Sequence, residues 1–591
     1  MKHSFHIPVL GLAFSIDTPL KVARFGISSV ISIVDDELIE RMRAYHAQAN
    51  DRYYAPIKKT EEDYRAKRIT AYLNLVQELV EAQIIRLKKG QFGIEPELDR
   101  YFELLPDSDW SKRRYQAMLQ TSDPKQRAAL QEELKATIAP GQIEVNIMAK
   151  VDKLNTDAKG NRLDEKYADA LAALRGFAKS ALSSSVVLSA GMNPRLYNYI
   201  AELPAFFPNR HGILEKQLIL KVSDYRSAYI QAKYLAKKGL WISEFRVESG
   251  LNCGGHAFAT EGHLLGPILA EFKEKKAAFI QELRTIYLEA LQEKGIRQIH
   301  ILPTRFSVQG GIGTAEEQAF LLHHYGFDSA GWGSPFLLVP EATTVDQDTL
   351  MALVHAEQAD FYLSDSSPLG VPFNNFRAST AEQKRLERIA KGRPGSPCTK
   401  KYLVSNTEFS TEPICTASRV YQHAKLKELK NLALAPEAYQ ERYEQIVAKT
   451  CLCEGLATSA YLKYEIKKKK EDSSVAICPG PNTAFFKGPY SLQEMVDHIY
   501  GRRRIELHNR PHAFLNELQL YVDYLKNLVK NSADDVKKIK IVKRFKEQLL
   551  AGIAYYRSIS EEMLKFSLDQ LAAFQDSLNE QEKQVLLETK D

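Results

Sequence analysis

Two patterns of apolar and polar positions alternate along this chain of 591 residues. Short apolar runs bounded by turn residues recur, and most precede a stretch with apolar residues at three- and four-residue intervals. The first pattern is typical of buried strands and the second of amphipathic helices. Runs of the first kind occupy 142–148, 185–191 and 217–222. Strands that alternate with helices in this way favour parallel βαβ units.

The N-terminal residues 1–34 predict a strand, a short helix and a second strand. Residues 7–14 form the first apolar run, a helix start is indicated at Asp17-Thr18-Pro19, and residues 26–34 form the second run. From Asp35 to Pro140 the pattern changes to long amphipathic helices, which we interpret as an insertion. Residues 141–502 return to alternating strands and helices, and 503–591 are again helical.

Glycines follow late strands of this pattern in three segments. The segment Glu244–His256 ends in Gly-Gly-His, Arg305–Thr314 contains Gly-Gly-Ile-Gly, and Phe327–Phe336 contains Gly-Trp-Gly-Ser. In a (β/α)8 barrel, glycines after consecutive late strands let backbone N–H groups approach a phosphate. The alternative is that these glycines only form tight turns.

These residues resemble the nitronate monooxygenase (2-nitropropane dioxygenase-like) family of FMN-dependent barrels, which also contains FMN-dependent enoyl-acyl-carrier-protein reductases. Asn252-Cys-Gly-Gly-His256 resembles the end of a family strand, and Gly310-Gly-Ile-Gly313 resembles its phosphate loop. Gly331-Trp-Gly-Ser334 resembles its second phosphate-binding segment. The resemblance implies an α/β fold of the (β/α)8 barrel class, with the helical insertion and the helical C-terminal extension as additions. It also extends to Gly370–Asn375, after a strand that closes the barrel in family members.

The resemblance implies a set of site residues. It makes His256 the catalytic acid or base, or the group that orients the substrate. The cofactor-binding residues that we assign are Ala13, Asn146, Lys221, Gly254, Gly255, Gly310, Gly311, Gly313, Gly331, Gly333 and Ser334. Lys221 could stabilise negative charge on a reduced flavin, or could be an ordinary solvated strand end. His256 could instead be satisfied by the loop that carries it. The cofactor is expected to be FMN rather than FAD, because no Gly-x-Gly-x-x-Gly follows a strand.

Five of the six cysteines fall late in the chain, at Cys398, Cys415, Cys451, Cys453 and Cys478. Thiolates at Cys451 and Cys453, with Cys478 and one upstream cysteine, could hold an iron–sulfur cluster or zinc. No Cys-x-x-Cys pair is present, so the pattern favours buried free thiols and no metal site. Cys253 could be a nucleophile, but a small packed residue is the favoured interpretation.

Composition narrows the class of protein. A net charge of +6, from 80 basic and 74 acidic side chains, gives no support to nucleic-acid binding. No apolar window is long enough for a membrane span, and the N-terminus has no signal-peptide pattern. The few cysteines favour a reducing, cytoplasmic location. Motifs of P-loop kinases, zinc proteases and serine hydrolases are absent from the sequence.

Two classes of function follow. The leading hypothesis is an FMN-dependent oxidoreductase that oxidises a nitronate-like or other small carbanion, or alternatively reduces an enoyl thioester, with NAD(P)H as an electron donor in some versions. The competing class is a non-catalytic flavin-binding or assembly protein. The apolar stripes of the insertion and the tail must be buried. We expect the two segments to pack together beside the barrel mouth, and a homodimer formed through them is consistent with the same stripes.

Overall fold

A closed barrel of eight parallel strands is the centre of the molecule. The computed structural model describes residues 2–147, 152–157, 160–189, 191–297, 300, 302–530, 536–563 and 568–587. The barrel strands are β1 (Phe5–Ile7), β2 (Ser28–Ser32), β3 (Ile143–Ile147), β4 (Ser184–Leu188), β5 (Lys216–Val222), β6 (Ile242–Glu248), β7 (Arg305–Gln309) and β8 (Ser329–Gly331). Each strand pairs with the next, and β8 pairs with β1. The predicted (β/α)8 barrel is therefore confirmed. Met148 and Ala190, within two of the predicted runs, lie outside the described residues.

Helices surround the barrel and extend beyond it. They are α1 (Thr18–Val22), α2 (Asp36–Ala49), α3 (Tyr64–Lys89), α4 (Pro96–Leu104), α5 (Trp110–Gln120), α6 (Pro124–Thr137), α7 (Asp169–Lys179), α8 (Pro194–Ile200), α9 (Tyr225–Ala236), α10 (Leu265–Glu293), α11 (Ala315–Tyr325), α12 (Gln347–Val354), α13 (Thr380–Ala390), α14 (Arg419–Lys430), α15 (Pro436–Val447), α16 (Leu452–Lys463), α17 (Leu492–Ile499), α18 (Ala513–Lys530), α19 (Val536–Met563) and α20 (Leu568–Leu587). In the part of the chain that the structure describes, no helix is long and apolar enough to cross a membrane.

Two sequence predictions about strands were wrong. The apolar run 7–14 is not one strand: β1 ends at Ile7, and the following residues turn, because Pro8 lacks an N–H and Gly11 has φ +65°. The run is buried because it covers the barrel mouth. The chain after Phe336 adds no barrel strand, because β8 has already paired with β1; Phe361–Ser364 (β9) and Phe373–Phe376 (β10) form a separate antiparallel pair.

Polar side chains occupy much of the barrel interior. Because alternate residues of a strand face the same side, Glu244, Arg246 and Glu248 of β6 project inward together. The Arg246 guanidinium is buried and lies 3.0 Å from Glu144 of β3 and 2.7 Å from Glu244. Above these charges, Val30, Val187 and Ile219 form a small apolar cluster of their own. The barrel interior is thus filled by side chains: the buried ion pairs lie deep inside it, and the small apolar cluster lies between them and the mouth.

The insertion and the tail pack on different parts of the barrel. Helix α3 of the insertion packs mainly on α2 and α7, whereas α19 of the tail packs on α18, α20, α10 and the segment Thr260–Gly262 that follows β6. In the part of the chain that the structure describes, the insertion and the tail therefore do not pack mainly on each other, as the predicted joint subdomain beside the mouth would require. Each segment buries its apolar stripe locally, which removes the need for the two to meet.

Candidate functional site

A cavity opens at the carboxyl ends of the barrel strands, where active sites of this fold lie. The empty space within it is about 1490 Å³, including the part open to solvent. Loops after β1, β6, β7 and β8 form its walls. Ten of the predicted residues line it: Asn146, Lys221, Gly254, Gly255, His256, Gly310, Gly311, Gly331, Gly333 and Ser334. The fold therefore brings together residues that are up to 188 positions apart in the sequence. The order of the predicted strands had suggested that these residues meet.

The loop after β7 has the backbone of an anion-binding turn. Gly310 has φ +119° and Gly311 has φ +72°, both in the region that favours glycine. A Cβ on Gly311 would lie 2.0 Å from the Asn252 amide nitrogen, so a side chain does not fit there. The N–H groups of Gly310, Gly311 and Ile312 donate to no acceptor within the described chain. Consecutive N–H groups of this kind in a turn form a site for an anion.

Gly313 stands behind this loop rather than in the cavity. Its N–H donates to the Glu317 carboxylate at 2.8 Å, and it is not among the residues that line the cavity. A Cβ on Gly313 would lie 2.4 Å from the Arg510 guanidinium carbon. A glycine is required at position 313 for the close approach of Arg510, and contact of Gly313 with the cofactor stays a prediction.

Arg510 is the residue that sequence reasoning missed. Its side chain is 3% exposed, and it donates to the Gly311 carbonyl at 2.5 Å, to Asn482 Oδ1 at 2.7 Å and to both oxygens of Glu317. Asn482 in turn donates to the Ile312 carbonyl at 2.9 Å. With its carbonyls bound from outside, the loop is held in one conformation. No local pattern marks Arg510, which lies in the non-helical segment just before α18.

The loop after β8 forms the opposite wall. A Cβ on Gly331 would lie 2.8 Å from Gln309 Cβ, whereas Gly333 has room around it. Ser334 Oγ accepts the Gly480 N–H at 2.7 Å, which leaves its O–H able to donate to a ligand. Gln309 also lines the cavity, and its side-chain amide lies between Glu248, to which it donates, and His6.

Lys221 lines the cavity and is not simply a solvated strand end; its role beside a reduced flavin stays a prediction. Its ammonium lies 3.0 Å from Glu248, and Gln309 also donates to that carboxylate. The positive charge of Lys221 and the negative charge of Glu248 therefore offset each other at the bottom of the cavity, which we call its floor. Asn146 lines the same floor from β3. Deeper, burial opposes ionisation of Glu244, but Arg246 and Arg305 outweigh it and lower the pKa of Glu244 to about 2.

His256 lies at the side of the cavity. Its Nε2 is 2.8 Å from Ser367 Oγ, and its ring meets Phe373 edge-on at 4.9 Å between centroids. Ser367 is fully buried, so it fixes the orientation of the imidazole. His256 thus lines the cavity and has a hydrogen-bond partner from a distant segment as well as its own loop to hold it; its catalytic role stays a prediction.

Two other predictions are corrected or narrowed. Ala13 is fully buried, does not line the cavity and donates its N–H to the Leu456 carbonyl at 3.0 Å, so its neighbours and not Ala13 form the wall. Cys253 and Cys478 do line it. Burial raises the pKa of the Cys253 thiol well above its ordinary value, which agrees with a packed residue and not a nucleophile.

The remaining cysteines lie away from the cavity lining. Cys398, Cys415, Cys451 and Cys453 are free thiols. Cys451 and Cys478 both pack against the small apolar cluster that contains Cys453, and Cys478 also lines the cavity. Among the described residues, no group of three or more acidic, imidazole and thiol side chains is closed around the position of a single metal ion.

Comparison of the chain with models of known protein families and with curated proteins finds no match.

Proposed function

We propose that this protein is an FMN-dependent oxidoreductase of the nitronate monooxygenase-like type, which oxidises a nitronate-like or other small carbanionic substrate. One observation carries the proposal: the glycine loops after β7 and β8 face one cavity, and three consecutive N–H groups of the first loop have no acceptor within the described chain. Barrel enzymes of this class bind phosphate groups at this position.

The residues present fit the cofactor. The β7 loop and the Ser334 hydroxyl, which both line the cavity, would hold the phosphate. Asn146 lines the same cavity, and its side-chain amide can donate to or accept from the polar edge of an isoalloxazine ring. When bound, FMN supplies the ability to accept two electrons from the substrate.

The chain's own residues then define the substrate position. His256 lies on the cavity wall with its ring fixed by Ser367, so an imidazole can hold or move a proton beside the bound substrate. Leu10, Leu337 and Ile477 give this side an apolar lining that excludes water from a small ligand. The Lys221–Glu248 pair keeps the floor close to neutral, which avoids repulsion of an anionic substrate.

The test is direct. Purified protein should carry FMN, identified by its absorption spectrum and by mass after release, and should oxidise nitronates; NADH with oxygen and enoyl thioesters are assayed in parallel. Gly311→Ala should lose the flavin, since its Cβ enters the space of Asn252. Gly93→Ala is the matched control: Gly93 also has positive φ, but a Cβ there meets nothing within 4 Å. A protein that binds no FMN, or a Gly311→Ala variant that keeps it fully, contradicts the proposal.

A further inference from the structure

Arg246 of β6 is a buried cation that borders the cavity from inside the barrel. Its side chain is only 2% exposed, yet it belongs to the residues that line the cavity. The small apolar cluster does not close it off, because Val30 and Val187 of that cluster line the cavity together with Arg246. Neither the glycine motifs nor the apolar pattern of the sequence indicated this residue.

The guanidinium of Arg246 uses only part of its hydrogen-bonding capacity within the protein. Its Nε donates to Glu244 Oε1 at 2.9 Å, and its Nη2 donates to the same oxygen at 2.7 Å and to Glu144 Oε2 at 3.0 Å. The N–H groups of Nη1 donate to no acceptor within the described chain. Arginine stays protonated, and a buried donor without an acceptor is costly. These N–H groups are therefore available to a ligand in the cavity.

The carboxylates that pair with Arg246 lie behind it. Among the described residues that line the cavity, the carboxylate, ammonium and guanidinium groups belong to Glu248, Lys221 and Arg246. Lys221 and Glu248, 3.0 Å apart, offset each other. Glu144 and Glu244 are not part of this lining, so Arg246 faces the cavity with no partner carboxylate in front of it.

The position of the guanidinium is fixed through Glu244. This carboxylate also accepts from Ser307 Oγ at 2.6 Å and from the Arg305 guanidinium at 3.0 Å. Burial opposes the charge on Arg246, but Glu144 and Glu244 outweigh it and raise the pKa of Arg246 above its ordinary value. A cation held in place beforehand needs no rearrangement when negative charge arrives, and such groups stabilise that charge strongly.

Arg246 is distinct from the phosphate loop in position. It pairs in register with Ser307 of β7, and the glycines of the loop begin three residues later, at Gly310. Three strand residues span about 10 Å, so Arg246 lies below the loop. We propose that Arg246 binds an anionic oxygen at the cavity floor. The oxygen comes from a small oxyanionic substrate, or from the edge of the cofactor that gains negative charge on reduction. The second source rests on the proposed function, whereas the first does not require the flavin.

The experiment compares the full-length protein with two variants. Removal of Arg246 alone would leave Glu144 buried without its cation, so the test variant combines Arg246→Gln with Glu144→Gln. In this variant, Glu244 keeps its bond to Arg305. Glu144→Gln alone is the matched control: burial raises the pKa of Glu144 despite the nearby Arg246, so its neutral isostere is a mild change. Thermal unfolding checks that both variants fold.

The first arm titrates acetate, a planar oxyanion, into each protein by calorimetry, with acetamide as the neutral isostere. We expect the wild type and Glu144→Gln to prefer acetate, and the double variant to bind acetate about tenfold more weakly. The second arm measures the midpoint potential of the bound flavin. A lower potential in the double variant, with unchanged affinity for acetate, identifies the reduced cofactor as the source of the anionic oxygen. Weaker binding of acetate identifies the substrate.

Two results would overturn the proposal. One is a folded double variant that matches the wild type in both affinity for acetate and flavin potential. The other is an equal change in Glu144→Gln, because the effect would then belong to the buried charges and not to Arg246. FMN content is measured separately. Protein without FMN contradicts the proposed function, and the acetate arm then decides on Arg246 alone: absence of acetate binding in that protein also overturns the proposal.

Discussion

His256 shows how a single residue can meet both demands of a site, since it must face the ligand and keep one orientation. Its ring borders the cavity while its Nε2 is bound to the buried Ser367. The sequence placed His256 in the mouth because it follows two glycines in the loop after β6. The sequence did not indicate Ser367, which arrives from a segment 111 residues later.

We predict that His256→Ala keeps FMN and loses most of the turnover, by about 10²- to 10⁴-fold, which is typical for a general acid or base. The flavin should remain because His256 is not part of the two phosphate loops. Steady-state kinetics and flavin content measure the two effects. Ser367→Ala should reduce turnover by less, since it frees the ring without removing it. Wild-type turnover in His256→Ala would make the residue purely structural.

Glu517 is a second residue whose environment decides its behaviour. The carboxylate is buried; it accepts from Ser249 Oγ at 2.5 Å and from the Leu265 N–H at 2.8 Å. Burial raises the pKa of Glu517 to about 7, more than these bonds lower it. The folded protein thus holds this proton more tightly than the unfolded chain does.

The free energy of unfolding should therefore fall as the pH rises. Because the pKa is raised on folding, the stabilising contribution is complete below the unfolded value near 4.5 and is lost as the pH rises through about 7. Between pH 5 and pH 8 the loss is about 2 kcal/mol in the free energy of unfolding. The Glu517→Gln side chain cannot titrate. In denaturant unfolding, the free energy of unfolding of this variant should therefore fall by about 2 kcal/mol less than that of the wild type between pH 5 and pH 8. Equal pH dependence in both proteins would contradict the shift.

At the scale of elements, the loop after β7 works together with a residue from a distant segment. Glycines at Gly310 and Gly311 permit the turn, but Arg510 binds the Gly311 carbonyl and the Glu317 carboxylate from behind. Helix α11, capped by Thr314, carries Glu317 into this position. The loop conformation is therefore set by three elements and not by its own sequence alone.

We predict that Arg510→Lys weakens FMN binding by about tenfold or more while the protein stays folded. Lysine keeps the charge but cannot make the forked set of bonds to Glu317, Asn482 and the loop. Flavin titration measures the change, and thermal unfolding checks the fold. Arg544→Lys is the matched control, because Arg544 is an exposed tail arginine paired with Glu261. Equal FMN affinity in the two variants would show that the loop holds its own shape.

At the scale of the whole molecule, the C-terminal tail belongs to the barrel mouth. It supplies Arg510 behind the phosphate loop and Glu517 beneath the loop after β6, and α19 covers the segment Thr260–Gly262. The sequence treated this tail as an addition, since its helices have no counterpart in the resembling family. Assembly into a homodimer through the tail or the insertion stays a prediction.

Two truncations should separate these contributions. Removal of 503–591 takes away both Arg510 and Glu517, and we expect the remaining chain to lose FMN binding. Removal of 531–591 keeps both residues and should preserve FMN binding while exposing the apolar side of α18. Flavin content and sedimentation measure binding and assembly. Full FMN binding by the shorter chain would show that the tail has no part in the site.

The sequence by itself determined what depends on neighbours along the chain. Apolar periodicity indicated strands and helices, and glycines after β7 and β8 indicated the phosphate loops, because both follow from local backbone geometry. Only the tertiary structure decided which distant groups meet: Arg510 behind the loop, Ser367 against His256, and Glu248 beside Lys221. Contacts between segments depend on packing in three dimensions, and no spacing within one segment encodes them.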